Sequence, residues 1–296
     1  MSDVKNEVRQ FYDHIGWQLV DEDIYQNARY EDLRPVSQEY INRCHMRVMN
    51  FIKTIGQYFL DAGSGPIQYP QYLRYSHGYS FRVCADVSIT ALKHARQRIG
   101  DHGLFVVADV SNLPFPPNLF DGAVCLHTIH HLPSSEHLHA YTELHRVIAP
   151  HRSAVVVQSW SVSSLMKIRE PVVRLANYLR SGLNSFSNQS PAPVDQNRDK
   201  SKFSQLTLTD EDHPKGTHIA RHDSKWLKKV VGERFRLEIN VWRSVNVRFL
   251  RALIHPRLGG RFWLLIIFWI EERFPHFFGE NGQYPLIVIY KQLEAS

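Results

Sequence analysis

Apolar positions in this chain change their period as the sequence proceeds. Over residues 1–56 the spacing is helical: Val4, Val8, Phe11 and Ile15 recur on one face, and Tyr40 to Ile55 repeats the pattern. Between them, Asp21 to Pro35 is rich in tyrosine and acids. After Gly56 short apolar runs alternate with amphipathic stretches. Runs 57–61, 82–86, 104–109, 122–127 and 153–158 predict strands, and 67–75, 88–99 and 134–148 predict the helices between them. Ser88 and Ser134 stand where helix caps are expected. Strands alternating with helices imply an α/β fold, a doubly wound and mostly parallel sheet with right-handed crossovers.

The pattern loosens after the fifth strand. Ser161 to Arg180 reads as helix, and 181–215, rich in Ser, Asn, Gln, Pro, Asp and Lys, reads as a surface insertion or lid. Helical Ser224 to Val231 and strand-like Phe235 to Trp242 follow. An aromatic and basic insertion then runs from about Ser244 to Tyr284, before a last strand, Leu286 to Tyr290, expected to be antiparallel. The expected sheet is therefore seven-stranded and Rossmann-like. The parts are an N-terminal helical lid (1–56), a core (57–160), a helix with a polar insertion (161–222), and a returning part of the core (223–296) carrying a cap at 244–284.

Composition adds limits. The chain has 296 residues, 43% hydrophobic and 22% charged, enough for a substantial core. Cys44, Cys84 and Cys125 are odd in number and lack metal-ligand spacing, so reduced thiols in a cytoplasmic protein are expected. Met1 to Gln10 is polar, unlike a signal peptide. The longest apolar run, Phe262 to Ile270, is far short of the roughly 20 residues a membrane-spanning helix needs. Residues 1–150 hold 13 Lys and Arg against 16 Asp and Glu; residues 151–296 hold 22 against 13. The basic half can attract an anionic substrate or an anionic surface, or be merely solvated.

The candidate chemistry begins at Leu60-Asp61-Ala62-Gly63-Ser64-Gly65-Pro66, a glycine turn at the end of an apolar run. In open α/β sheets ligands bind at that edge, against backbone N–H groups at a helix start. Asp86 ends the next run, 25 residues after Asp61, where a carboxylate can accept both hydroxyls of a ribose. Asp109 ends a third run and can accept from an adenine amino group, with Val110 or Leu113 against the ring. A fourth run ends in His127-Thr128-Ile129-His130-His131. The order suits an adenosine-containing cofactor. Gln68 stands where the third glycine of a dinucleotide fingerprint would be, which disfavours hydride transfer.

With these pieces in order, the chain resembles the class I S-adenosylmethionine-dependent methyltransferases, and most closely their small-molecule branch that includes the ubiquinone/menaquinone-type enzymes. The resemblance covers roughly residues 57–160. It implies S-adenosyl-L-methionine as cofactor, leaving as S-adenosyl-L-homocysteine. It places the cofactor turn on Asp61, Ala62, Gly63, Ser64 and Gly65. It puts ribose contact on Asp86 with Val87, adenine contact on Asp109 with Val110, and the methionine part near His127. Tyr12, on a helix that in this family often folds over the cofactor, becomes a lid residue. Pro66 departs from the family's frequent third glycine and removes an N–H from the turn.

Methyl transfer from a sulfonium needs an aimed acceptor, and a hydroxyl acceptor gains about 10²–10⁴-fold from a general base. His130 and His131 are the candidates, His131 preferred; a turn that only shapes the pocket is the alternative reading. Tyr25 and Tyr30 are further candidates for substrate contact. The expected acceptor is a small, lipophilic or anionic metabolite such as an isoprenoid or quinone precursor. The insertion bearing Arg243, Arg248, Arg251, Arg257 and Arg261 with Phe249, Phe262, Trp263, Phe268 and Trp269 can pack on the sheet, wall a substrate site or rest on a membrane surface. No Asn/Asp-Pro-Pro-aromatic tetrapeptide is present, so nucleic acid is not the expected substrate. No metal is expected. A catalytically silent binding or scaffold protein, and an enzyme that uses the cofactor differently, stay open as alternatives.

Overall fold

Five apolar runs rich in Val and Leu pair in parallel, and two C-terminal strands extend the sheet they form. A computed structural model describes residues 3–21, 24–187 and 217–292. Helix α1 (Asp3–Phe11) runs directly into a π-helical turn, Tyr12–Gly16. A short antiparallel pair follows, β1 (Leu19–Asp21) with β2 (Ile24–Tyr25), and then α2 (Pro35–Met46), which opens on a proline at its first position. The core runs β3 (Gly56–Ala62), β4 (Tyr79–Asp86), α3 (Ile89–Ile99), β5 (Gly103–Val107), β6 (Gly122–Leu126), α4 (His137–Val147) and β7 (Ser153–Val157). Next come α5 (Ser164–Ser187), a helical turn α6 (Ser224–Trp226), β8 (Arg236–Arg243), α7 (Val247–Leu253), α8 (Gly260–Arg273), α9 (Pro275–Asn281) and β9 (Tyr284–Tyr290).

The seven-stranded sheet has the order β5-β4-β3-β6-β7-β9-β8, and β9 alone runs antiparallel to its neighbours. Alternation along each strand divides the core into two layers. Leu60, Val83, Cys125, Val156 and Ile287 pack with Tyr141 and Leu144 of α4 on one face. Phe59, Cys84, Val124, Val155 and Val288 pack with Val48, Tyr72, Tyr75 and Trp242 on the other. All three cysteines are buried and free.

Several expectations need correction. Residues 67–75 do not form an α-helix after the glycine turn; a 3₁₀ segment, Pro70–Ser76, stands there. Pro70 forces the residue before it out of the helical region, and Tyr69 is extended at φ −115° and ψ 132°, so no helix can run through 69–70. Ser88 caps α3, its hydroxyl accepting from the Ala91 N–H at 3.1 Å, but Ser134 caps nothing: it begins a 3₁₀ turn ahead of α4. The insertion at 244–284 does not lie on the sheet as one helix. It forms α7, α8 and α9, and α8 packs on α2, where Leu264, Leu250 and Ile254 meet Val36, Tyr40 and Ile41. Of the polar insertion foreseen at 181–215, residues 188–215 lie outside the described residues. Among the described residues no helix is long and apolar enough to cross a membrane.

Candidate active site

Because β3, β4, β5, β6 and β7 are parallel, their carboxyl ends share one edge, and the glycine turn, Asp86 and Asp109 all lie along it. Gly63 and Gly65 take φ of 72° and 54°, the left-handed region where a side chain is strained. The Gly63 N–H donates to the Ala85 carbonyl at 2.7 Å, and the Gly65 N–H donates to the Asp86 carboxylate at 2.8 Å. The Ser88 N–H donates to the other Asp86 oxygen at 2.8 Å. Burial, reinforced by the Asp61 and Asp13 carboxylates, outweighs these two bonds and raises the Asp86 carboxyl to about 6. Ala62 and Val110 are buried; Ser64 and Val87 are half-buried beside the turn.

Asp61, next to last in β3, is buried at this edge. Its carboxylate pairs with the fully buried Arg82, whose Nε donates to it at 3.2 Å and whose Nη1 donates to the Tyr72 carbonyl at 2.6 Å. A buried guanidinium needs a carboxylate, and Asp61 supplies it. Asp61 is therefore held by a buried cation from the neighbouring strand. The sequence signal for this was an arginine inside an apolar strand.

Asp109 is held by three groups. Lys5 of α1 forms ion pairs with both Asp109 and Glu136, and donates to Ser111 Oγ at 2.9 Å. The Ser111 N–H and hydroxyl donate to Asp109 at 2.9 and 2.8 Å. Burial alone would raise the Asp109 carboxyl; these donors and the Lys5 charge outweigh it and hold it below the usual carboxylate range.

The N-terminal segment covers the same edge. Asp13 accepts from the Ser88 hydroxyl at 2.6 Å and from the Thr90 N–H at 3.3 Å, at the start of α3. The Trp17 ring stacks on Tyr12, centroids 5.0 Å apart, and its edge lies 3.0 Å from where a Cβ on Gly65 would stand. Tyr25 packs edge-on behind Trp17, while Tyr30 is exposed. Tyr12 reaches His131: its hydroxyl lies 2.8 Å from His131 Nε2, and His131 Nδ1 lies 2.9 Å from the His218 carbonyl. A carbonyl accepts only, so Nδ1 carries the proton and Nε2 accepts from Tyr12. Burial pushes His131 down to about 4, which keeps it neutral. Its partner in the pair, His130, is buried, lies well below the usual histidine range because of burial and the neighbouring His131, and leaves Nδ1 unpaired.

On the far side of the β6 end the site deepens into an aromatic cluster. Thr128, whose hydroxyl donates to the Gly63 carbonyl at 3.2 Å, joins the glycine turn to His127. His127 takes φ of 55°, and its ring stands 4.9 Å from Trp242 and 5.8 Å from Tyr284. Burial and the Arg243 charge push it down to about 3. His45 and Trp242 gave no local sequence pattern and Arg243 stood only as one of several basic residues, because α2 and β8 supply them from opposite ends of the chain.

The edge residues fit an adenosine-containing group. Asp86 and Asp109 keep acceptor lone pairs beyond the bonds described, and both stand beside the glycine turn. What lies over them is Lys5, Tyr12 and Trp17, all from one N-terminal segment. The expected N–H contacts at a helix start are not supplied, since only a short 3₁₀ segment follows the turn. Among the described residues no group of three or more His, Cys, Asp or Glu is placed to hold a metal ion.

Residues 60–156 match the family model of a methyltransferase domain. No curated protein matches the chain. Among solved structures, phosphoethanolamine N-methyltransferase 2 of Haemonchus contortus, in complex with S-adenosyl-L-methionine, is similar at a TM-score of 0.53 and 14% identity, over 96% of this chain and 60% of that one. This chain thus spans less than two thirds of that enzyme's length. The geranyl diphosphate C-methyltransferase of Streptomyces coelicolor A3(2), in complex with Mg²⁺, geranyl diphosphate and S-adenosyl-L-homocysteine, gives a TM-score of 0.53 at 11% identity over 98% of both chains. The PH0226 protein of Pyrococcus horikoshii OT3 gives 0.50 at 17% over 90% of this chain and 96% of that one. At such identities the likeness is one of fold, and it is the match of residues 60–156 to a methyltransferase domain that points to the chemistry.

Proposed function

We propose that this chain methylates a small lipophilic or anionic metabolite, within the small-molecule branch that the sequence resembles. The observation that carries the reading is the Gly65–Asp86 bond at the carboxyl edge, with Asp109 one strand further along. In this reading Asp86 accepts from the ribose hydroxyls, Asp109 from the adenine amino group, and Gly63 to Gly65 leave room for the sulfonium end. S-Adenosylmethionine, when bound, supplies an electrophilic methyl group. The chain orients the acceptor and excludes water, with the N-terminal segment as cover. Neutral His131 holds a lone pair on Nε2, and withdrawal of Tyr12 frees it to take an acceptor proton.

The outer face of α8 supports contact with a membrane surface. Phe262, Leu265 and Trp269 are exposed there, with Arg257, Arg261 and Arg273 nearby, the pattern of an interfacial helix. The alternative, a catalytically silent binding protein, draws support from Trp17 and Lys5 lying over the cofactor edge. Incubation with S-adenosylmethionine and a panel of phenolic, isoprenoid and acyl acceptors decides between them. Formation of S-adenosylhomocysteine that depends on the acceptor supports the enzyme. Tight cofactor binding with no turnover across the panel supports the silent protein.

A further inference from the structure

Beside the cofactor edge lies a set of buried polar atoms that no described residue satisfies. Both ring nitrogens of His45, Trp242 Nε1, Arg243 Nε and Ser244 Oγ lack a hydrogen-bond partner, and all four residues are at most 2% exposed. Nearly all buried polar atoms in folded proteins are paired, so a group of orphans around one point marks a place where another molecule fits. These four residues adjoin one another. The His45 and Trp242 rings are stacked at 5.2 Å and 12°, and the Arg243 guanidinium lies 4.8 Å from the Tyr284 ring centre and 5.4 Å from that of Trp242. His127 touches the same Trp242 ring, and the residue after it bonds the glycine turn. The set therefore adjoins the end of β6 that is bonded to the glycine turn.

Its chemistry is that of a donor set. Trp242 Nε1–H, Arg243 Nε–H, the Ser244 hydroxyl and the one N–H of a neutral His45 all donate. Burial and the Arg243 charge push His45 down to about 3, so it stays neutral. The rings of His45, Trp242, His127 and Tyr284 pack around these donors. Among the described residues the carboxylate paired with Arg243 is Glu31, whose Oε1 accepts from Arg243 Nη1 at 2.5 Å. Glu31 precedes α2, in the N-terminal segment that also covers the cofactor edge, and its carbonyl accepts from Arg251 at 3.0 Å. A buried arginine stripped of its carboxylate is costly, so Glu31 can leave only when another anion takes its place or water enters.

We propose that this cluster of unpaired donors receives the oxyanion of the methyl acceptor, a small planar molecule bearing a carboxylate or phosphate, and that Glu31 is its built-in competitor for Arg243. Calling the occupant an acceptor rests on the methyl-transfer reading; the anion site itself does not.

The test is calorimetric titration of the full chain with 4-hydroxybenzoate, phenyl phosphate and the neutral 4-hydroxybenzamide, in wild type, E31Q and E31Q/R243Q. The double variant keeps the interior electroneutral. At least one anion binds wild type, and E31Q binds it about tenfold or more tighter while the amide does not gain. The double variant loses that gain and binds the anion more weakly than wild type. Which anion binds better tells carboxylate from phosphate. S-Adenosylhomocysteine titrated into the same three proteins binds each alike. Neither anion binding wild type or E31Q overturns the proposal, as does an amide that gains equally in E31Q. If the double variant does not fold, the comparison of E31Q with wild type decides alone. S-Adenosylhomocysteine failing to bind wild type would sink the methyl-transfer reading and leave the anion result to be judged by itself.

Discussion

Gly65 and Asp86 are joined by one hydrogen bond, the Gly65 N–H donating to the Asp86 carboxylate at 2.8 Å. The bond ties the turn after β3 to the acid that ends β4. It requires the backbone of Gly65 at φ 54°, and Trp17 lies against the same glycine. Gly65→Ala meets both obstacles and lowers the unfolding free energy by about 1–3 kcal/mol. Gly100→Ala is the control: Gly100 has φ 63° but nothing within 4 Å of the added Cβ. Urea denaturation of both variants separates the two costs, and equal losses would rule out a contribution from Trp17.

The raised Asp86 carboxyl gives cofactor binding a pH dependence. Its folded value of about 6 lies above the ordinary 3.8, so ionising it costs folding stability as the pH rises from 3.8 through 6. Accepting two ribose hydroxyls requires the ionised form. Affinity for S-adenosylhomocysteine is therefore constant above about pH 7 and falls roughly tenfold by pH 5. Titration calorimetry from pH 5 to 8 checks this, with Asp86→Asn predicted to bind weakly and without the pH slope.

Tyr12 and His131 fasten the N-terminal segment to the β6 end. Tyr12→Phe leaves His131 Nε2 buried without a donor and costs about 1–3 kcal/mol. A double-mutant cycle with His131→Phe shows a coupling of about 1 kcal/mol, and a coupling near zero contradicts the bond. His131 lies below its ordinary 6.5, at about 4, so its share of stability is complete above pH 6.5 and is lost as the pH falls through 4. Thermal melts between pH 4 and 7 follow that loss.

Arg82 and Asp61 form a buried pair, and breaking it from either side leaves a buried charge. Asp61→Asn or Arg82→Met alone is expected to cost about 3–5 kcal/mol, and Asp61→Leu with Arg82→Met markedly less than the sum of the single changes. Chemical denaturation of the four proteins measures this. Additive losses would remove the ion pair from the account.

The sheet was legible in the sequence because a buried parallel strand is a short apolar run, and five such runs stand in the expected places with their ends shifted by a few residues. Asp86 and Asp109 were legible for the same reason: parallel strands put their carboxyl ends on one edge. Asp61 was not. Its fate depends on Arg82 in the neighbouring strand, and the pairing of side chains across strands is not written in either strand's pattern. The helix expected at 67–75 had suitable periodicity, yet Pro70 holds Tyr69 in the extended region and breaks it. Lys5 lies 104 residues from Asp109, and Glu31 lies 212 from Arg243, so no local signal announces either contact. The orphaned atoms around Trp242 show only after α2 and β8 have come together.

One titration tests the central assignment most directly: S-adenosylhomocysteine into the wild-type chain and into Asp86→Ala, by calorimetry at pH 7.5. The account predicts a single saturable site in the wild type and an affinity at least about a hundredfold weaker in the variant, the effect of removing a charged acceptor of two hydrogen bonds. Equal binding by the two proteins, or no heat with the wild type, would contradict it.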